Sequence, residues 1–286
     1  MPVQGVWLPI ITPFVNDEFD LVSYKNLINH YISKGITGII PLGTTGESPT
    51  IADDETIRII EATIEIVDKR VPIYVGAGGN FTKKVVEKIQ KIENLEIEGI
   101  LSVSPYYSRP SQEGIYEHFK AISESTAKKI IIYNIPYRTG RNIQNRTLYK
   151  LAKLQNIIAV KDSCGDIKQS MELILNKPDG FSVLTGEDLL FFLTLSLGGD
   201  GGILASAHIV PEAMIKIYNL LCVNDHTAGR DEWKKIVGLF PQLFVEPNPR
   251  PIKYILKSRN LISSDETRLP ITDISDNLKA VLKAFI

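Results

Sequence analysis

One lysine closes an otherwise apolar run in Ile157-Ile158-Ala159-Val160-Lys161-Asp162-Ser163. An ammonium at the end of a strand built for burial is costly, because a low-dielectric surrounding penalises the charged form. The same penalty lowers the amine's pKa, leaves more of it neutral at pH 7, and makes it able to attack a carbonyl and form a Schiff base. The ordinary alternative is a rim salt bridge or a stem that snorkels to water. Other segments supply what Schiff-base chemistry needs. Tyr133, in IIIYNIP, is a proton relay or else a core aromatic with its hydroxyl bonded. Gly43-Thr44-Thr45-Gly46-Glu47 sets two hydroxyls and close-approaching backbone N–H groups between glycines, a cradle for a carboxylate; alone, such a loop also reads as a capped tight turn. Arg138, in Pro136-Tyr137-Arg138-Thr139-Gly140, has the planar fork that suits a carboxylate, although a lone loop arginine is often only solvated. Tyr106 and Tyr107 follow Pro105 and read as packing or interface aromatics.

These residues must be positioned by something, and the chain repeats one pattern to do it. A short β-branched run, a turn and an amphipathic stretch recur eight times. The runs fall at 5–11, 37–42, 72–76, 98–103, 129–134, 157–161, 181–185 and 201–205. Each is apolar on consecutive residues, as a strand covered on both faces requires. Helical patterns occupy SYKNLINHYISKG and DDETIRIIEATIEIVDKR, the second acidic at its start and basic at its end, and others begin near Thr82, Ser111, Gln144, Asp166, Glu187 and Pro211. Strict alternation over about 220 residues predicts a (β/α)8 TIM barrel, an α/β fold with a parallel sheet. Further helical patterns near 228–240, 249–259 and 273–285 predict one domain in which a C-terminal helical subdomain, 225–286, packs on a barrel of residues 1–224. GTTGES, SPYYSRP, YNIPYRTG, KDSCG and GEDLL all follow strands, which is the face where such barrels carry their chemistry.

Composition removes several classes of function. The 286 residues are 44% hydrophobic and 23% charged, with a net charge of −1, so a nucleic-acid partner is not indicated. No apolar run approaches the ~20 residues of a membrane span. The start, MPVQGVWLPIITPF, has no basic residue ahead of its apolar run and does not read as a signal peptide. Cys164 and Cys222 form no CxxC and read as reduced thiols of a cytoplasmic protein. His30, His118, His208 and His226 make no HxxxH or HExxH, and no acidic cluster has metal spacing, so no metal and no cofactor is expected. Neither GxxxxGK[ST] nor GxGxxG occurs, so nucleotide phosphate is not indicated.

Taken together, GTTGES, SPYYSRPSQEG, YNIPYRTG, the lysine of VKDS and FVEPNPRPIK resemble the dihydrodipicolinate synthase family of pyruvate-dependent class I aldolases over essentially the whole chain. The resemblance implies a Schiff base between Lys161 and pyruvate. It implies a proton relay of Tyr133, Thr44 and Tyr107, with Tyr107 reaching in from a neighbouring subunit. Thr45 would hold the pyruvate carboxylate and Arg138 the carboxylate of L-aspartate semialdehyde. The backbone carbonyl of Ile203 would line the pyruvate pocket, and Gly186 its floor. It also implies a homotetramer, a dimer of dimers. Related chemistries stay open: cleavage of N-acetylneuraminate or a keto-deoxy-sugar acid to pyruvate, or a barrel that binds a metabolite without catalysis. Arg138 favours the semialdehyde, since the distal end of a sugar acid is hydroxylated. Retention of Lys161, Tyr133, Thr44 and Tyr107 together disfavours the non-catalytic reading.

Some positions depart from the family pattern. Asp162 replaces a common glutamate, Tyr137 a usually small residue, and Trp7 and Pro9 make the first strand bulky. In lysine-inhibited members the effector site has histidines at the positions of Asp53 and Thr56 and a glutamate at that of Lys84. Ser48, Asn80 and Tyr106 match this site, whereas Lys84 sets a positive charge against the effector's ammonium. Weak or absent inhibition by L-lysine is therefore expected.

Overall fold

The computed structural model describes residues 2–286. Eight parallel strands alternate with helices along the chain, one for each run expected from the sequence. The chain forms two compact units, residues 74–203 with the N-terminal residues through Gly5, and residues 6–73 with 204–286.

In the first unit the strands Tyr74–Gly76, Gly99–Val103, Lys129–Asn134, Ile157–Asp162, Ser182–Thr185 and Gly201–Ile203 pair in chain order, each parallel to the next. The central strands are nearly continuous in buried residues, with Ile130, Ile131 and Ile132 beside Ala159 and Val160. Between the strands run the helices Thr82–Lys91, Gln112–Glu124, Asn145–Leu151, Ile167–Leu175 and Phe191–Ser196. Ser111 and Asp166 cap two of them by accepting hydrogen bonds from first-turn N–H groups. The element expected to start at Glu187 opens as a short 3-10 turn, Asp188–Leu190, before its helix begins.

In the second unit, strand Gly5–Leu8, from Val6 onward, pairs in parallel with Gly38–Ile39, and Ile39 bridges to Ile73. The first strand stops at Leu8 instead of reaching 11, because Pro9 has no N–H to donate to a ladder. Trp7 is accommodated by its register partner Gly38, where a Cβ would fall inside the indole ring. A short hairpin absent from the sequence reading, Phe14–Val15 with Glu18–Phe19, turns at Asn16-Asp17, both at positive φ as such a turn demands. Helix Asp53–Val67 has its acidic first turn, and Glu55 reaches back to the Ala52 N–H. Its expected basic end lies beyond the helix: Asp68 terminates it in the left-handed region, and Arg70 then donates back to the carbonyls of Val67 and Ile66.

The tail helices are His226–Ile236, Leu239–Phe244, Arg250–Ser258 and Asp276–Leu282. The tail lies within this second unit, bonded to residues 6–73. Lys253 pairs with Glu47, Arg268 with Glu55, Asn248 donates to Thr45, and the Ser263 N–H donates to Ser23.

Candidate active site

Lys161 and Tyr133 are register partners on adjacent strands, so their side chains leave the sheet on the same face. Both are buried, and the lysine Nζ lies 4.2 Å from the centre of the tyrosine ring. No hydrogen bond or ion pair holds that Nζ among the described residues. Burial pushes the Lys161 ammonium down to about 8, against the carboxylates of Asp188 and Glu187, which favour its charge; Arg138 adds to the lowering. Burial also holds the Tyr133 hydroxyl well above the ordinary tyrosine range. At pH 7 a pKa near 8 leaves about a tenth of the amine neutral, roughly 300 times the neutral fraction of an unperturbed lysine.

Gly186 follows the next strand and is held by its N–H on the Asp162 carbonyl, 2.8 Å away. A Cβ there would lie 2.5 Å from Lys161 Cε and collide with the Ser163 hydroxyl. Glycine at this position leaves the lysine side chain its path. The Ser163 hydroxyl is fully buried beside Tyr133 and Glu187 and acts against the rise in the pKa of each. Glu187 is half-buried, and burial raises its pKa, with Asp188 adding to the effect. Ser163, Glu187 and Asp188 were not singled out from the sequence; a polar GEDLL directly after a strand was the available signal.

Asp162 follows Lys161 and therefore points to the opposite face of its strand. Its carboxylate accepts from the Ser170 hydroxyl at 2.5 Å and the Cys164 N–H at 3.2 Å. The substitution for glutamate thus bears on helix docking. Behind the site, Asn134 donates to Asn142 at 2.9 Å and accepts from the Ile143 N–H at 3.0 Å. Asn142 in turn donates to Gln169 at 2.7 Å. This network anchors the turn that carries Arg138, which lies exposed on a short helix, Pro136–Thr139, with its guanidinium 5.5 Å from the Tyr137 ring centre. Arg138 makes no ion pair among the described residues. Ile203 is buried at the end of its strand. Tyr107 stands apart: it is 91% exposed and held at φ +67°, so within one chain its ring packs on almost nothing.

Within the other unit, Thr45 is buried and Thr44 half-buried in a loop with two left-handed residues, Leu42 and Glu47. The Thr45 Oγ1 accepts a hydrogen bond from Asn248 at 3.0 Å. The Glu47 carboxylate pairs with Lys253 Nζ at 2.5 Å, both side chains fully buried, and accepts the Arg268 N–H at 3.0 Å. Sequence reasoning missed Asn248, Glu47 and Lys253. The signal for Lys253 was a charge among the buried Ile252, Ile255 and Leu256 of one helix. Of the expected effector residues, Asn80, Lys84 and Tyr106 are exposed and Ser48 is half-buried. Among the described residues no His, Cys, Asp and Glu side chains gather into a metal-holding group, and both cysteines are free thiols.

The model of the dihydrodipicolinate synthetase family matches residues 2–286. This chain belongs to that family. It is 52% identical to 4-hydroxy-tetrahydrodipicolinate synthase 2 of Clostridium acetobutylicum, over the whole of both chains. A crystal structure of dihydrodipicolinate synthase from Thermotoga maritima matches with a TM-score of 0.94 at 38% identity, covering 98% of each chain. The chloride-inhibited synthase of Acinetobacter baumannii, crystallised with pyruvate, matches with a TM-score of 0.95 at 34% identity, covering 98% of this chain and 97% of that one. The family's TIM-barrel fold is the one expected from the eight alternating runs. No helix among the described residues is long and apolar enough to cross a membrane.

Proposed function

We propose that this chain is a 4-hydroxy-tetrahydrodipicolinate synthase, condensing pyruvate with L-aspartate 4-semialdehyde. The carrying observation is Lys161: a buried, unpaired amine lowered to about 8, beside Tyr133 and cleared by Gly186. Its lone pair adds to the keto carbon of pyruvate, and water leaves to give the imine. Loss of a methyl proton makes an enamine, which attacks the aldehyde carbon. The substrate's own amine then adds to the imine carbon and expels Lys161, restoring the free enzyme. Each step moves a proton, and hydroxyls can both give and take one, which suits Tyr133, Thr44 and Tyr107 as relay. Thr45 takes the keto-acid carboxylate, Arg138 that of the semialdehyde, and the Ile203 carbonyl and Gly186 border the pyruvate. A Tyr107 this exposed fits a residue given to a neighbouring copy, in a homotetramer built as a dimer of dimers.

Borohydride reduction in the presence of pyruvate tests the amine: a pyruvyl mass increase on Lys161 is expected, and an unlabelled Lys161 overturns the reading in favour of a non-catalytic binder. A coupled assay with L-aspartate semialdehyde, run beside N-acetylneuraminate and keto-deoxy-gluconate, tests the second substrate. Faster turnover of either sugar acid would reassign the chain within the superfamily. Exposed Lys84 supports weak regulation by L-lysine, and half-maximal inhibition below millimolar lysine would refute that.

A further inference from the structure

The hydrogen bond between Asn248 and Thr45 has a direction, and the direction has a consequence. A threonine hydroxyl has one proton to give and two lone pairs to receive with. The Asn248 amide donates to Thr45 Oγ1 at 3.0 Å and so occupies one lone pair. The hydroxyl proton must point elsewhere, and no acceptor for it lies among the described residues. Thr45 is 5% exposed, so this unspent donor is sheltered from bulk water. Asn248 is 8% exposed, and its Oδ1 is buried without a partner.

The loop itself is pinned on either side of this bond. The Thr12 hydroxyl donates to the Gly46 carbonyl at 2.7 Å. One residue on, the left-handed Glu47 is held by Lys253 at 2.5 Å and by the Arg268 N–H at 3.0 Å. The backbone of Thr45 is therefore fixed, and what remains free is where its proton points. An oriented, sheltered, unspent O–H suits an anionic oxygen.

We propose that Asn248 is a positioning residue which aims the Thr45 hydroxyl proton at a carboxylate oxygen of the keto-acid substrate, on a loop held rigid by the Glu47–Lys253 pair. This rests on the reading of the chain as a pyruvate-imine enzyme. The test compares Asn248→Asp with Asn248→Ala by steady-state kinetics with pyruvate, each checked for folding by its melting temperature. An ionised aspartate takes the Thr45 proton for itself. Asn248→Asp is therefore expected to raise KM for pyruvate more than Asn248→Ala, which raises it about ten-fold with kcat little changed. Its KM should fall again as pH is lowered and the buried carboxyl regains a proton to donate. A purely structural role predicts the reverse order, with the isosteric aspartate the milder change and KM following the melting temperature. The double variant Thr45→Val with Asn248→Ala should be no worse than Thr45→Val alone; additive losses would sink the proposal. A wild-type enzyme that fails to trap pyruvate on Lys161 refutes the underlying reading instead, and an intact trap with an unchanged KM in Asn248→Ala refutes this inference alone.

Discussion

Lys161 ends a strand and Lys253 lies within a helix, yet burial brings both ammonium groups down to about 8. Both are buried, and each lies over an aromatic ring, at 4.2 Å from the Tyr133 centre and 4.4 Å from that of Phe14. Their partners differ. Lys253 Nζ donates to the Glu47 carboxylate at 2.5 Å and the Glu266 carbonyl at 2.7 Å. Lys161 Nζ has neither, and the carboxylates of Asp188 and Glu187 act on it only electrostatically. When Lys253 loses its proton it also abandons a buried carboxylate, so its lone pair is never free at low cost. When Lys161 loses its proton nothing is broken. A depressed pKa is thus shared by a lysine held in an ion pair and one that is not, and the missing partner is what fits Lys161 to the nucleophile's role proposed above.

Replacing each lysine should separate the two roles. Lys161→Ala is expected to abolish pyruvate trapping and to lower turnover by on the order of 1,000-fold or more, while leaving the melting temperature unchanged or raised. The folded-state pKa of Lys161 lies below the unfolded value. Its buried charge therefore costs stability below about pH 8, and the cost is relieved as pH rises from about 8 toward 10.5. Removing the amine removes that cost. Lys253→Met should behave oppositely, losing about 3–5 kcal/mol in denaturant unfolding because Glu47 is left buried and unpaired. Whatever fraction stays folded should still trap pyruvate on Lys161. Trapping lost in folded Lys253→Met, or stability lost in Lys161→Ala, would erase the distinction.

A smaller effect sharpens it. The rate of imine formation with pyruvate should rise with pH through about 8, as the Lys161 amine becomes neutral. Glu187→Gln removes a carboxylate that favours the ammonium, so the rising limb should move to lower pH; a shift to higher pH would remove Glu187 from this account.

The eight strands and the place of Lys161 were legible from local pattern. Runs such as IIIYN and IIAVK are apolar on consecutive residues because both faces are covered, and a polar residue can end such a run only where the strand leaves the core. Tyr133 was legible for the same reason. Local pattern also placed most helix starts, since Ser111 and Asp166 are short polar residues ahead of amphipathic runs. The hairpin at Asn16-Asp17 escaped because two-residue strands carry almost no period. Which residues the 225–286 tail bonds to was not legible, because helical periodicity says nothing about what a helix packs on.

By itself, the sequence determined which segments become strands, which become helices, and which amine is placed at a strand end, because these depend on residues within a few positions of one another. Tertiary structure alone decided which polar groups meet. Glu47 and Lys253 are 206 residues apart, and Thr45 and Asn248 are 203. No local period encodes such a pairing, since it is enforced by the cost of burying either group alone. The same cost, not offset by an ion pair at Lys161, is what lowers the pKa of that amine.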